Sequence, residues 1–358
     1  MLRRLAKGER CHHGVMADVT GSRTSRAARW LAWLIGLAAL SSVIVLVTHF
    51  SQEKAIARMF ERAQPGWLGL ALALQSLTYF SEAQIWRGLI RKAGGRLSSR
   101  LALQLSLAKL FIDQTLPSGG ISGALFVVEE LISRGIRRAA ALAGIAVATF
   151  SYYGAYVACL SVAVTVAAVH HSLHSSLLWV VVTFVVASAT LCALLIYILR
   201  RRPLPFESTL TRVPVIRRTM EELHSADWQL VRDGGLLGKA MGWQAAIFAL
   251  DYGTLWLCLL ATGIVADPAA IFASYIFSSL FRSLAILPGG LGVFEAASVL
   301  TLRAAGVSVA EGLTATLLFR GLSFWLPLVP GLLAAARVSK RVSPFTPPLQ
   351  SMHAPGES

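Results

Sequence analysis

Long apolar runs constrain this chain more than any other feature of its sequence. Several of them reach the roughly 18–20 residues that cross about 30 Å of hydrocarbon as a helix. Charged residues make up only 14% of the 358 residues, against about 25% in an average soluble domain. We therefore predict an all-α, polytopic integral membrane protein with about six full spans. The predicted spans cover residues 30–50, 67–86, 139–169, 177–199, 241–262 and 313–336.

Basic residues cluster in the polar segments between these runs. The net charge of +15 is spread over the tail 1–29, segment 87–100, the loop 200–239 between the two halves, and the end of the chain. The positive-inside rule places such segments on the cytoplasmic side. We therefore expect both termini inside a bacterial plasma (inner) membrane, with a disordered tail over 339–358. Anionic membrane lipids are the expected partners of this charge, and we expect no nucleic acid.

Two apolar segments are interrupted by proline and glycine. Segment 101–133 has basic residues on both sides, so it leaves and returns to the inner face, whereas segment 269–304 starts from the outer face. We predict two re-entrant hairpins in an inverted-repeat-like arrangement, which in transporters marks a binding site near the midplane. The alternative is that the interruptions serve helix packing alone. The interrupting residues are Pro117, Gly119 and Gly120 in the first hairpin, and Pro288, Gly289, Gly290 and Gly292 in the second.

Charged residues accompany both hairpins, where lipid makes an unpaired charge costly. Each hairpin has a cation before its break and a carboxylate after it. These charges are Lys109 and Glu129 in the first hairpin, and Arg282 and Glu295 in the second. Asp251 in the middle of a span and Asp113 in the first hairpin are candidates for proton coupling. Either aspartate is equally suited to capping a helix or to pairing with Lys109.

Motifs of common enzyme classes are absent from the sequence. The chain has no G-x-S-x-G, Walker A or H-E-x-x-H pattern, which supply a nucleophile, a phosphate loop or zinc ligands. His170, His171 and His174 have no neighbouring carboxylate or cysteine, so they indicate a solvated loop rather than a zinc site. We therefore predict a protein that is not an enzyme, with no catalytic residue, metal site or cofactor.

Three sequence segments resemble a known family of membrane proteins. They are Leu116 to Gly120, Leu287 to Glu295, and Phe319 to Pro327 around Arg320. In order and spacing they resemble the lysylphosphatidylglycerol synthase transmembrane family, also called flippase-like or UPF0104 proteins. The resemblance implies a membrane domain over about 30–338 that moves lipid between leaflets. The full-length synthases carry a separate aminoacyl-transferase domain, and its absence from this sequence implies a stand-alone flippase-like protein.

The charged groups of the second hairpin suit an anionic lipid. Arg282 and Arg320 are candidates to hold a phosphate with bidentate hydrogen bonds, and Glu295 is the counter-ion expected in the empty state. A half-helix beginning after Gly290 or Gly292 would add N–H groups that attract anions. The alternative is a structural Arg–Glu clamp that never meets substrate.

Two other functions remain open from the sequence. One is a proton-coupled secondary transporter of a small solute, using Asp251 or Glu295. The other is a non-transporting membrane subunit that presents lipid to a separately encoded lipid-modifying enzyme. The broken hairpins and their charges favour translocation of a lipid or amphiphile over both.

Overall fold

The computed structural model describes residues 63–116, 120–169, 175–200, 226–284 and 288–339. The predicted tail 1–29, the first span 30–50, Pro117, Gly119 and the three-histidine loop therefore lie outside the described residues, as do most of the loop 200–239 and nearly all of the tail 339–358. The helices are α1 (Pro65–Lys92), α2 (Ser99–Thr115), α3 (Ile121–Ser133), α4 (Arg138–Val169), α5 (Ser175–Leu199), α6 (Trp228–Val231), α7 (Gly234–Ala261), α8 (Pro268–Leu284), α9 (Val293–Ala304), α10 (Val309–Arg320) and α11 (Leu326–Ser339).

Four helical stretches are long and apolar enough to cross a membrane. They are α4, the stretch Leu178–Tyr197 of α5, α7, and the stretch Val309–Val338. In the last of these a π-helical turn at Gly321–Trp325 joins α10 to α11 without a break. Helices account for about 87% of the described residues, and no strand occurs among them. The predicted all-α polytopic membrane protein is confirmed.

Both interrupted segments consist of two short helices joined by glycine-containing turns. In the first, α2 ends at Thr115 and α3 begins after Gly120, which has the left-handed φ of 88°. In the second, α8 and α9 are separated by a 3₁₀ turn at Pro288–Gly290. Positive φ angles at Gly289, Gly290 and Gly292 reverse the chain there, a conformation that costs other residues steric strain.

The first hairpin packs against the break of the second. Helix α2 contacts α11 extensively and also contacts the Pro288–Gly290 turn. The side-chain amide of Gln114 donates to the carbonyl oxygen of Ser323 in the π-helical turn at 3.3 Å. Helices α1 and α7 form the most extensive helix pair, and α4 packs against both α7 and α8. The end of α2, the Pro288–Gly290 turn and the π-helical turn are therefore neighbours.

Basic segments from distant parts of the chain meet at one end of the bundle. Arg137 lies 3.9 Å from Asp227, and Lys92 lies 2.8 Å from Asp233. Asp233 also caps α7 by accepting the Leu236 N–H at 2.8 Å, so α7 begins inside the predicted loop 200–239. The hydrogen bond from Lys92 holds the pKa of the Asp233 carboxyl below its usual value. The described parts of the predicted cytoplasmic segments, around Lys92, Arg137 and Asp227 to Asp233, thus share one end of the structure.

A cysteine-labelling experiment tests this arrangement. In a cysteine-free background, Arg100→Cys and Ser133→Cys lie at the basic end, and Val265→Cys, 88% exposed, follows the far end of α7. A membrane-impermeant maleimide applied to inside-out and right-side-out vesicles should label the first two cysteines from one side and the third from the other. Labelling of Arg100→Cys and Val265→Cys from the same side would contradict the arrangement.

Candidate functional site

A buried ion pair joins the second hairpin to α10. The Nε of Arg320 donates to Oε1 of Glu295 at 2.7 Å, and the two side chains are only 3% and 6% exposed. Arg320 is the last residue of α10, and Glu295 lies in the first turn of α9. The pairing has the geometry of the structural clamp that the sequence left as an alternative.

The remaining contacts of this pair fix the break itself. Nη2 of Arg320 donates to the carbonyl oxygen of Gly289 at 3.0 Å, and Oε2 of Glu295 accepts the Gly292 N–H at 2.6 Å. The Arg320 guanidinium also lies over the rings of Phe324 and Phe294, at 4.5 and 5.4 Å from their centroids. Broken backbone in a membrane needs such partners, because lipid offers none.

The start of α9 is therefore occupied by the protein's own carboxylate. Glu295 accepts the backbone N–H of Gly292, the residue before the first turn of α9, and a carboxylate at this position is favoured by the helix dipole. Of the two starts that the sequence leaves open, after Gly290 or after Gly292, the half-helix has the second. However, the anion that meets this N-terminus is Glu295, so an incoming phosphate would have to compete with it.

Arg282 at the end of α8 has a different environment. Within the described part of the chain, its guanidinium forms no ion pair or hydrogen bond, and its described ring contact is with Phe294, at 5.8 Å from the centroid. The neutral hydroxyl groups of Tyr152, Tyr156 and Tyr275 lie in its surroundings, together with the Asp251 carboxylate, and the residue is partly exposed. Of the two predicted phosphate ligands, Arg282 therefore has guanidinium N–H groups available for a ligand in the described structure. Arg320 already donates Nε and Nη2 to the protein.

Asp251 lies near Arg282 but bonds to other groups. Its Oδ1 accepts from the Gln75 amide at 3.2 Å, and its Oδ2 accepts from the Tyr275 hydroxyl at 2.9 Å. The carboxylate thereby connects α7 to α1 and α8. It interacts electrostatically with Arg282 without a direct ion pair in the described structure. The sequence identified Asp251 but gave no indication of Gln75 or Tyr275, because their proximity arises only from the packing of separate helices.

The first hairpin contains a second charged cluster. Lys109 lies 3.2 Å from Asp113 and 3.3 Å from Glu82. Asp113 also accepts the Gly123 N–H at 2.9 Å and so caps the start of α3. The two alternatives for Asp113, capping and pairing with Lys109, occur together. Glu129, the carboxylate that follows the break in the sequence, has an exposed side chain, and the second carboxylate beside Lys109 is Glu82 from α1.

The two hairpins therefore share one arrangement. In each, a carboxylate accepts a backbone N–H at the start of the second helix and is ion-paired to a basic side chain. Asp113 belongs to the helix before the break and Glu295 to the helix after it, so the likeness is in chemistry and not in sequence position. Among the residues that the structure describes, no three His, Cys, Asp or Glu side chains come together as metal ligands.

Comparisons with known proteins agree with the sequence motifs. The family model described as the lysylphosphatidylglycerol synthase TM region matches residues 33–331. A UPF0104 membrane protein from Methanothermobacter thermautotrophicus is 31% identical over 97 residues. That alignment spans 27% of this chain and 28% of the relative. The family match includes α1 to α10 and both hairpins.

Loss of the Arg320 side chain should destabilise the protein strongly. Arg320→Ala leaves Glu295 buried without its partner, and breaking a buried ion pair typically costs about 3–5 kcal/mol. Arg303→Ala is the matched control, because Arg303 lies in α9 of the same hairpin with its side chain exposed; its cost should stay within about 0.5 kcal/mol. Denaturant unfolding in detergent measures both. Equal stability of the two variants would contradict the clamp.

Proposed function

Because the chain belongs to the lysylphosphatidylglycerol synthase TM region family, we propose that it moves an anionic phospholipid or similar amphiphile between membrane leaflets. The proposal assigns Arg282 to the lipid phosphate and gives the protein no reaction to catalyse. A phosphate pays a large desolvation cost in hydrocarbon unless charge and hydrogen bonds replace its water. A membrane-embedded arginine supplies both.

The observation that carries the proposal is the difference between the two arginines. Arg320 is 3% exposed and is bonded to Glu295 and Gly289. Arg282 lies beside the same break, partly exposed and without a carboxylate bonded to it in the described structure. A charged residue inside a membrane protein is expensive and usually functional. Of the two arginines, the one with no carboxylate bonded to it among the described residues is the one suited to an exchangeable anion.

The hairpin break keeps Arg282 in place. A Cβ at Gly290 would overlap the Cγ of Arg282, so only glycine allows this close approach. The φ of 62° at Gly290 independently favours glycine. The next residue of α8, Ser283, lies 3.4 Å from the Tyr152 hydroxyl. Arg282 is thus positioned between a rigid turn and a set of tyrosines, where polar and apolar parts of a lipid both find suitable neighbours.

Asp251 supports charge compensation when no lipid is bound. Its carboxylate balances the field of Arg282 from a position fixed by Tyr275 and Gln75. Arrival of a phosphate would place a second negative charge near Asp251, and protonation of Asp251 would relieve the repulsion. This arrangement favours one second candidate, a proton-coupled transporter.

We further propose that the basic end faces the cytoplasm of a bacterial plasma membrane, as the positive-inside rule requires.

Substitution of Arg282 should reduce lipid transport while leaving the fold intact. In proteoliposomes with fluorescent phosphatidylglycerol, Arg282→Gln should slow transport at least about tenfold, because a hydrogen bond to a charged group is worth about 1.5–3 kcal/mol. Arg282→Lys keeps the charge but loses the bidentate geometry, so its rate should be intermediate. Dithionite quenching of lipid in the outer leaflet measures the rate.

The control for net charge is Arg303→Gln, because Arg303 is an exposed residue of α9. This variant should transport lipid at the wild-type rate. Transport by Arg282→Gln at the wild-type rate, or wild-type activity no greater than in empty vesicles for all anionic and zwitterionic lipids, would overturn the proposal. Asp251→Asn in the same assay separates the two candidates. A pH gradient that accelerates the wild type but not Asp251→Asn favours the proton-coupled transporter.

A further inference from the structure

A second basic site lies at the end of the bundle, away from the hairpin breaks. A cavity of about 450 Å³ opens where α1 ends and the chain turns into α2. It is lined by Arg87, Arg91, Gly95, Arg96, Leu97 and Ser98. Three of these six residues carry a guanidinium and none carries a carboxylate. We refer to this cavity as the arginine pocket.

The turn that forms the arginine pocket is held tightly. The N–H of Gly95 donates to the carbonyl oxygen of Ile90 at 2.8 Å, and a Cβ at Gly95 would lie 2.9 Å from Cγ2 of Ile90. Arg87 is fixed by a 3.3 Å hydrogen bond from Nε to the Leu97 carbonyl oxygen and a 2.9 Å bond from Nη1 to Gln84. The pocket is thus a preformed feature of the backbone, and one of its arginines is already oriented.

The charge of the arginine pocket is not neutralised by the described part of the protein. Arg91 and Arg96 are exposed and form no ion pair there. Of the acidic residues described near this end, Asp227, Asp233 and Glu130 face Arg137, Lys92 and Arg134, and none of the described ion pairs joins Glu129 to an arginine of the pocket. Uncompensated guanidinium groups around a cavity favour an anion with several oxygen atoms, and a phosphate matches their forked donors.

We propose that the arginine pocket binds the phosphodiester headgroup of an anionic phospholipid. The pocket lies where α1 and α2 leave the bundle, at the end where the basic segments meet. Leu97, which is partly exposed, supplies apolar surface in the lining of the pocket itself. A lipid provides both a phosphate for the arginines and acyl chains for this apolar surface. Binding there does not depend on translocation, so it holds even if the chain moves no lipid.

A lipid titration with charge-matched variants tests the arginine pocket. The full chain in neutral detergent is titrated with short-chain phosphatidylglycerol and read by native mass spectrometry, in the wild-type and Arg282→Gln backgrounds. The pocket variant carries Arg91→Gln and Arg96→Gln. The control carries Arg303→Gln and Arg337→Gln, which remove the same charge from exposed positions outside the pocket. The Arg282→Gln background removes any contribution from the intramembrane site.

The pocket variant should raise the dissociation constant for phosphatidylglycerol about 25-fold, since each arginine near an anionic lipid contributes about fivefold. The control should change the dissociation constant less than twofold. Arg91→Gln alone and Arg96→Gln alone should each raise it about fivefold. Short-chain phosphatidylcholine should bind more weakly than phosphatidylglycerol. Equal effects of pocket and control variants would overturn the proposal, as would equal binding of both lipids. Displacement of the lipid by an equal concentration of inorganic phosphate would show that the pocket binds free anions, and would overturn the proposal of a lipid headgroup.

Discussion

The buried pair between Arg320 and Glu295 is the interaction on which the second hairpin depends. Each charge alone would cost about 2.5–3.5 kcal/mol at the centre of a span. Together they neutralise each other and satisfy the backbone at Gly289 and Gly292. One ion pair therefore allows the chain to break inside the bundle and ties the break to the stretch Val309–Val338, which is long and apolar enough to span the membrane.

The first hairpin is held by the same kind of interaction, a carboxylate that caps a half-helix and is paired with a basic side chain. Asp113 caps α3 and pairs with Lys109, while Glu82 from α1 adds a second carboxylate. The charges nearest the two half-helices are thus used to hold the backbone. Arg282 and Asp251 lie beside this framework without bonding to each other. The account of function rests on that separation between structural and exchangeable charge.

Much of this architecture can be predicted from the sequence, because membrane spans, broken segments and basic loops all leave local patterns. Local sequence predicts the two broken segments and offers Gly292 as one of two starts for α9. It also names Glu295 as the counter-ion of the arginines, with an Arg–Glu clamp as the alternative. The roles of Glu82, Gln75 and Tyr275 cannot be predicted in this way, because each meets its charged partner only through the packing of separate helices. Glu129 follows the first break in the sequence as Glu295 follows the second, but its side chain is exposed, because the helix carrying it turns that face outward.

The most direct test is a cryo-electron microscopy map of the protein in nanodiscs containing phosphatidylglycerol. The account predicts phosphate density within hydrogen-bond reach of the Arg282 guanidinium, with the bond between Arg320 and Glu295 intact. Phosphate bound to Arg320 with Glu295 displaced would contradict it, because the clamp would then be the substrate site and Arg282 would have no assigned partner.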